Sequence, residues 1–195
     1  MSRHRHSHRH NRLLAAGFTL LAAMPLPAQA AGMVLTGEIA FGGDKLASVS
    51  GDYDEDLRAG QLLNLGIGFD FDLNPAKTLL LRAGINYKFD AIDADNGEAD
   101  FDRWPLDLIL VSRQGNLSLG AGLTYHLSPT YEDTIDNISR RIDFDDALGF
   151  LLQVGFMVTP TMELGGRVTL IEYESDMIAN RIDGDSFGIY ISVGL

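Results

Sequence analysis

Apolar and polar residues alternate through eight separate segments of the chain. The first places Met33, Leu35, Ile39 and Phe41 on one side, with Thr36, Glu38 and Ala40 between them. The second sets Leu63, Leu65, Ile67, Phe69 and Phe71 against Asn64, Gly66, Gly68 and Asp70. In the third, Leu79, Leu81, Ala83, Ile85, Tyr87 and Phe89 oppose Arg82, Gly84, Asn86 and Lys88. The fourth has Trp104, Leu106, Leu108 and Leu110 opposite Asp107 and Arg113, blurred by Ile109 and Val111. Leu117, Leu119, Ala121, Leu123 and Tyr125 then alternate with Ser118, Gly120, Gly122, Thr124 and His126. The sixth segment runs Leu148, Phe150, Leu152, Val154 and Phe156 against Gly149, Gln153 and Gly155. The seventh sets Leu164, Val168 and Leu170 against Glu163, Gly165, Arg167 and Thr169. The last sets Phe187, Ile189, Ile191, Val193 and Leu195 against Gly188, Tyr190, Ser192 and Gly194. A period of two over about ten residues is a strand pattern, because successive side chains of a strand point to opposite faces. No later stretch has a comparable helical period, so the sequence predicts an all-β protein.

The connections alternate in length. Asn74-Pro75, Gln114-Gly115-Asn116 and Thr159-Pro160-Thr161 supply the residues of tight turns. Residues 42–60, 90–103, 128–146 and 172–185 make long, acidic connections. This rhythm fits an eight-stranded antiparallel up-and-down barrel, with the long loops at one end and both termini at the other.

Alternation does not say which face points inward, since soluble and membrane barrels share it. The polar face settles the orientation, because it carries Gly66, Gly68, Gly84, Gly120, Gly122, Gly149, Gly155, Gly165, Gly188 and Gly194. So much glycine weakens an exterior strand, whereas a narrow eight-stranded lumen needs small residues to admit its large ones. The large polar residues of this face carry both signs: Glu38, Asp70, Asp107 and Glu163 with Arg82, Lys88, Arg113 and Arg167. Buried charges need partners, so a lumen crossed by ion pairs is expected. On the apolar face, Phe41, Tyr87, Phe89, Trp104, Tyr125, Phe150 and Phe187 fall near the long-loop end, and Phe69, Phe71 and Phe156 near the short-turn end. Two aromatic rings around an aliphatic band are the girdles of a transmembrane barrel.

The first thirty residues are unlike the rest. Met1 to Arg12 hold four Arg and no acid, Leu13 to Leu26 is an uncharged apolar run, and Ala28-Gln29-Ala30 has cleavage-site spacing. Together they read as a secretory signal peptide. The apolar run is shorter than the roughly 20 residues of a membrane-spanning helix. Residues 1–30 are therefore expected to be removed, leaving a barrel domain over 31–195. The alternating His4, His6, His8 and His10 leave with the leader, and His126 is the one histidine that remains.

Composition closes several routes. The 195 residues carry 15 Lys+Arg against 27 Asp+Glu, a formal net charge of −12, and no Cys. There is no basic surface to displace nucleic-acid counterions. There is also no thiol nucleophile or thiolate metal site, and no multi-histidine zinc site in the mature chain.

Over Met33 to Leu195 the pattern resembles the small eight-stranded outer-membrane β-barrel proteins of Gram-negative bacteria, the OmpX-, OmpW- and YfaZ-like class. The final strand, Ser186 to Leu195, resembles the C-terminal signal read by the outer-membrane assembly machinery, with Leu195 where that signal usually ends in Phe or Trp. The resemblance implies a bacterial outer-membrane location, contact with outer-membrane lipid and lipopolysaccharide, and no cofactor. The chain is expected to stop at its last strand without a periplasmic domain, and to be monomeric because closure leaves no sheet edge.

Three features bear on chemistry. Gly184-Asp185-Ser186-Phe187-Gly188 fits G-x-S-x-G, but that nucleophile elbow needs a following helix and a later His, and neither is present. His126-Leu127-Ser128 resembles the His-x-Ser pair of the outer-membrane lipid A deacylases, eight-stranded barrels in which the pair faces lipid. Here the alternation points His126 to the lumen, and Pro129 stands where that family has Asn. The loop acids Asp52, Asp54, Glu55, Asp56, Asp90, Asp93, Asp95, Glu98, Asp100, Asp102, Asp143, Asp145 and Asp146 lack the spacing of a calcium loop and read as solvated. The expectation is a non-enzymatic barrel with a filled lumen, acting in envelope integrity or surface interaction through its loops. The alternatives are an acyl hydrolase using His126 and Ser128, or a narrow solute channel.

Overall fold

The computed structural model describes residues 32–50, 54–94, 97–135 and 138–195. The leader, Asp52 and Asp95 lie outside the described residues. Eight strands close a barrel: β1 (Gly32–Phe41), β4 (Leu62–Asp72), β5 (Leu79–Ala94), β6 (Gly97–Gln114), β7 (Leu117–Ile135), β9 (Ala147–Met157), β10 (Met162–Leu170) and β13 (Ser186–Gly194). All neighbours are antiparallel, and β1 closes the ring by pairing with both β4 and β13. Each alternating segment of the sequence is one of these strands.

The apolar side chains point out. Ile39, Leu65, Leu119, Leu152 and Leu164 are all exposed, as are Phe150 and Phe187 at 61% and 63%. The polar partners point in: Glu38, Asn64, Arg82, Asn86, Asp107, Gln153, Glu163 and Arg167 are buried. Small residues set the bore. A Cβ at Gly122 would run into the Leu108 carbonyl and Ile109 Cα of the neighbouring strand.

The lumen is not wholly polar. Leu80, Ile109, Val111 and Leu151 form a buried apolar cluster on the inward face. Ile109 and Val111 blur the fourth segment for this reason: they are lumen-filling residues between lipid-facing leucines.

The long connections differ from the expectation of solvated loops. β5, β6 and β7 run on past the barrel, and β8 (Ile138–Asp143) adds to β7 as a further strand. Two hairpins complete this end: β2 (Lys45–Ser50) with β3 (Asp54–Arg58), and β11 (Glu172–Ser175) with β12 (Ile178–Asp183). Between them lies a second apolar core of Leu57, Ala59, Ile92, Ala99, Phe101, Tyr131, Phe144, Ala147, Ile171 and Tyr173. Phe101 packs edge-on against Phe144 and Tyr173, with centroids 5.7 and 5.6 Å away. Alternation therefore continues beyond the girdle, with Ala99, Phe101 and Arg103 inward and Asp100 and Asp102 outward. β8 pairs with β7 alone, so closure does not extend to this end of the sheet.

Candidate functional site

The functional features concentrate in the lumen, where side chains stack in three layers. Nearest the short turns, Asp70 on β4 receives both Arg82 Nε at 2.7 Å and Arg82 Nη2 at 2.9 Å from β5. Arg113 on β6 reaches the same carboxylate at 3.3 Å and Glu163 at 3.9 Å. The Tyr190 hydroxyl donates to Glu163.

The middle layer centres on Arg167. Its guanidinium contacts Glu38 at 3.1 Å, the Gln153 side-chain oxygen Oε1 at 3.1 Å and Asp107 at 3.6 Å, and stacks over Tyr190. Asn64 donates to Glu38 at 3.1 Å, while Thr124 and Asn86 donate to Asp107 at 2.7 and 3.0 Å. Each carboxylate thus meets several donors, as desolvated charge requires. A cavity of about 10 Å³, room for a single water, lies among Arg82, Asn86, Asp107 and Arg167.

The upper layer is different. Lys88 makes no ion pair there among the described residues; it donates to the Gly60 carbonyl at 2.8 Å. Arg103, also fully buried, donates to the Ala59 carbonyl at 2.7 Å. His126 is buried, with Nδ1 2.6 Å from the Tyr173 hydroxyl. Residues 59–61 and Tyr173 therefore roof the barrel.

His126 and Ser128 are not brought together. Opposite Arg103 the β6–β7 register slips, and Ser128 takes φ 48°. Its backbone N–H bonds Asp146 at 2.9 Å, and the residue is exposed, so the two-residue spacing no longer puts both side chains on one face.

Every aromatic residue of the expected girdles lies on the outward face. Phe41 and Phe187 contact across β1 and β13 with centroids 5.7 Å apart. Tyr87 touches Phe89 and Trp104 at 5.4 and 4.8 Å, and Phe69, Phe150 and Phe156 are exposed. Phe71 and Tyr125 are half-buried there, and the Tyr125 hydroxyl donates to Asp146 at 3.2 Å.

Sequence reasoning passed over Asn64, Asn86, Thr124, Gln153 and Tyr190 as ligands of the ion pairs, although all lie at inward positions of the alternation. It also missed Arg103, within a segment read as loop. Outside the barrel, Asp100 and Asp102 are held above the ordinary carboxylate range, first by burial and then by Glu132. Burial, followed by Asp133, pushes the Tyr131 hydroxyl up to about 12. Among the described residues no group of three or more His, Asp or Glu is placed to hold a metal ion.

A closed eight-stranded barrel, apolar outside and charged within, can satisfy its surface only in a bilayer. The chain has the fold of a small eight-stranded transmembrane β-barrel. Its fold is similar to that of Neisserial surface protein A, with a TM-score of 0.55 at 13% identity over 86% of this chain and 100% of that one. It is also similar to Ail, the attachment invasion locus protein of Yersinia pestis, with a TM-score of 0.54 at 10% identity over 84% of this chain and 96% of that one. A second Ail structure, in complex with the heparin analogue sucrose octasulfate, gives 0.52 at 8% identity with the same coverage. No family model and no curated protein matches the sequence.

Proposed function

We propose that this is a non-enzymatic outer-membrane protein with a sealed lumen, acting in envelope integrity or surface interaction through its long, acidic, cell-exterior end. The observation that carries the reading is the side-chain filling of the bore. Three layers span it, and the middle one ties β1, β6, β9 and β10 through Glu38, Asp107, Gln153 and Arg167. Solute passage would require those buried ion pairs to separate. The leader at residues 1–30 would export the chain, and β13 would present it to the assembly machinery.

The long-loop end supplies the interaction surface. Of the Asp and Glu residues, all but Glu38, Asp70, Asp72, Asp107 and Glu163 fall in the four long connections. Ail has been captured with a sulfated heparin analogue. Such a polyanion is a poor match for this end, whose exposed Arg140, Arg141 and Arg181 already pair with Asp133, Glu132, Glu172 and Glu174. Direct contact with lipopolysaccharide through its sugars, or through cations bridging its phosphates, fits the charge better.

The decisive experiment compares a deletion strain complemented with the full protein and with a barrel whose long connections are trimmed. Both should restore resistance to detergents if envelope integrity resides in the barrel, and only the full protein should restore surface attachment. Unitary currents through the purified protein in planar bilayers would overturn the sealed-lumen reading. Acyl release from lipid A that is lost in Ser128→Ala would establish the hydrolase instead.

A further inference from the structure

The upper lumen buries more cationic charge than its carboxylate can match. Lys88 and Arg103 are 3% and 0% exposed. Among the described residues neither has a carboxylate at ion-pair distance. Asp90 is the acid of this layer; it interacts electrostatically with both cations, and its Oδ2 is buried without a hydrogen-bond partner. Glu38 and Asp107 lie below, already engaged by Arg167. His126 borders the same space, with Nδ1 on Tyr173.

The two cations are satisfied mainly by backbone. Lys88 Nζ is 2.8 Å from the Gly60 oxygen and 3.4 Å from Ser186 Oγ. Arg103 Nη2 is 2.7 Å from the Ala59 oxygen and 3.2 Å from the Gln61 oxygen, and Nη1 is 3.4 Å from the Phe101 oxygen. Arg103 Nε is buried with no partner. Three successive carbonyl oxygens, from residues 59–61, thus converge on an ammonium and a guanidinium. A tetrahedral oxyanion would offer those donors the same oxygens and add the negative charge the carbonyls lack.

The covering segment is one connection between β1 and β4. Its described residues include the paired strands β2 and β3, and its ends meet where Gly60 N–H donates to the Gly42 oxygen at 3.2 Å. Gly42 and Gly43 take φ of 127° and 82°, a backbone region that glycine enters without strain. Leu57 and Ala59, both fully buried in the second apolar core, hold the cover down. Below it the Glu38–Arg167–Asp107 layer closes the bore, so a ligand that replaced those carbonyls would meet a dead end and bind without being conducted.

We propose that this space is a binding site for a small phosphate or sulfate oxyanion, and that the carbonyls of residues 59–61 occupy it until the ligand displaces them. The ligand is a free anion or the phosphate of a lipid headgroup, since both present the same oxygens.

The test uses the full chain folded in non-ionic detergent, with inorganic phosphate as the probe. Leu57→Asp releases the cover, and calorimetric titration should show phosphate bound at least tenfold more tightly than by the unaltered protein. Adding Arg103→Met to that background should remove the gain. In the unaltered protein, phosphate should speed tryptic cleavage after Lys45 and Arg58, while chloride at equal ionic strength should not; this measurement stands even if Leu57→Asp does not fold. A short-chain phosphatidate that competes with phosphate identifies a lipid headgroup as the ligand, and its failure to compete identifies a free anion. Phosphate affinity indifferent to both substitutions, or cleavage that answers phosphate and chloride alike, overturns the proposal.

Discussion

Arg167 and Glu38 stand 3.1 Å apart inside the barrel, although 129 positions separate them in the chain and β13 lies between their strands. The contact forms only when the ring has closed, so it reports on the complete barrel rather than on any one hairpin. Both side chains are out of water, at 3% and 5% exposure. Removing Arg167 strands Glu38 as a buried charge without its cation, at a cost of about 3–5 kcal/mol, whereas removing Glu38 leaves Arg167 with Asp107 at 3.6 Å. Arg167→Met is expected to lower the free energy of urea unfolding in lipid vesicles by that order, and Glu38→Gln by less. The double variant should lose clearly less than the two single losses added together, because Glu38 is then no longer a lone charge and only Asp107 is left without its cation. Strictly additive losses would show that the pair is not coupled.

Glycines on the two faces of the wall should respond in opposite ways. At Gly122 a side chain would press on the backbone of Leu108 and Ile109, which can yield only if β6 and β7 separate. Gly166 faces outward, and the nearest atom to an added Cβ is 3.9 Å away. Gly122→Ala is therefore expected to destabilise by about 1–3 kcal/mol, the usual range for overpacking. Gly166→Ala should be neutral or slightly stabilising, because glycine weakens a strand interior. Unfolding in vesicles checks both, and equal losses at the two positions would contradict the inward and outward assignments.

The barrel was legible in the sequence because one face of every strand meets lipid, and that alternation is hard to mimic by chance. Orientation was legible from glycine, since Gly66, Gly68, Gly120 and Gly122 have a reason to cluster only in a narrow bore. What escaped has a physical cause in each case. Leu80 and Leu151 point inward although they are apolar, because lumen filling needs volume as well as charge. Phe101, Tyr131 and Tyr173 were hidden among acids, where charge density suggested solvated loop. Ser128 precedes Pro129, a position biased toward extended backbone, yet it adopts φ 48°. No local signal foretold that turn, and with it went the one-face geometry of His126 and Ser128.

Trp104 is the chain's single tryptophan and therefore an unambiguous depth gauge. It is 46% exposed on the outer wall beside Tyr87, and as a girdle residue it would sit where aromatic rings straddle headgroup and acyl chain. In vesicles of lipids brominated at defined depths, its fluorescence should be quenched most by bromines close to the glycerol backbone and least by those at the chain ends. Tyr87→Leu should leave that depth unchanged, since β6 fixes it. Maximal quenching at the bilayer centre would displace the girdle from the interface.

Asp100, Asp102 and Glu132 give the long-loop end a pH dependence of defined sign. Burial raises Asp100 and Asp102 above their ordinary values, and Glu132 raises them further. A folded state whose carboxyls titrate high binds more protons than the unfolded chain. Its contribution to stability is thus fully present below the ordinary aspartate value near 3.9 and is lost as pH rises through the raised values. Where they are ionised, Asp100 and Asp102 are repelled by Glu132, so their charge works against this end of the fold. Replacing both, as Asp100→Asn with Asp102→Asn, should slow hydrogen exchange at Phe101 and Tyr131 at neutral pH. That advantage over the unaltered protein should shrink as pH is lowered toward about 4, where the aspartates are themselves neutralised. The acidic ion-pair partners elsewhere, such as Asp133 with Arg140, are common to both proteins and cancel in the comparison. An advantage that grows on acidification would reverse the sign and show that these carboxylates stabilise the extension in their charged form.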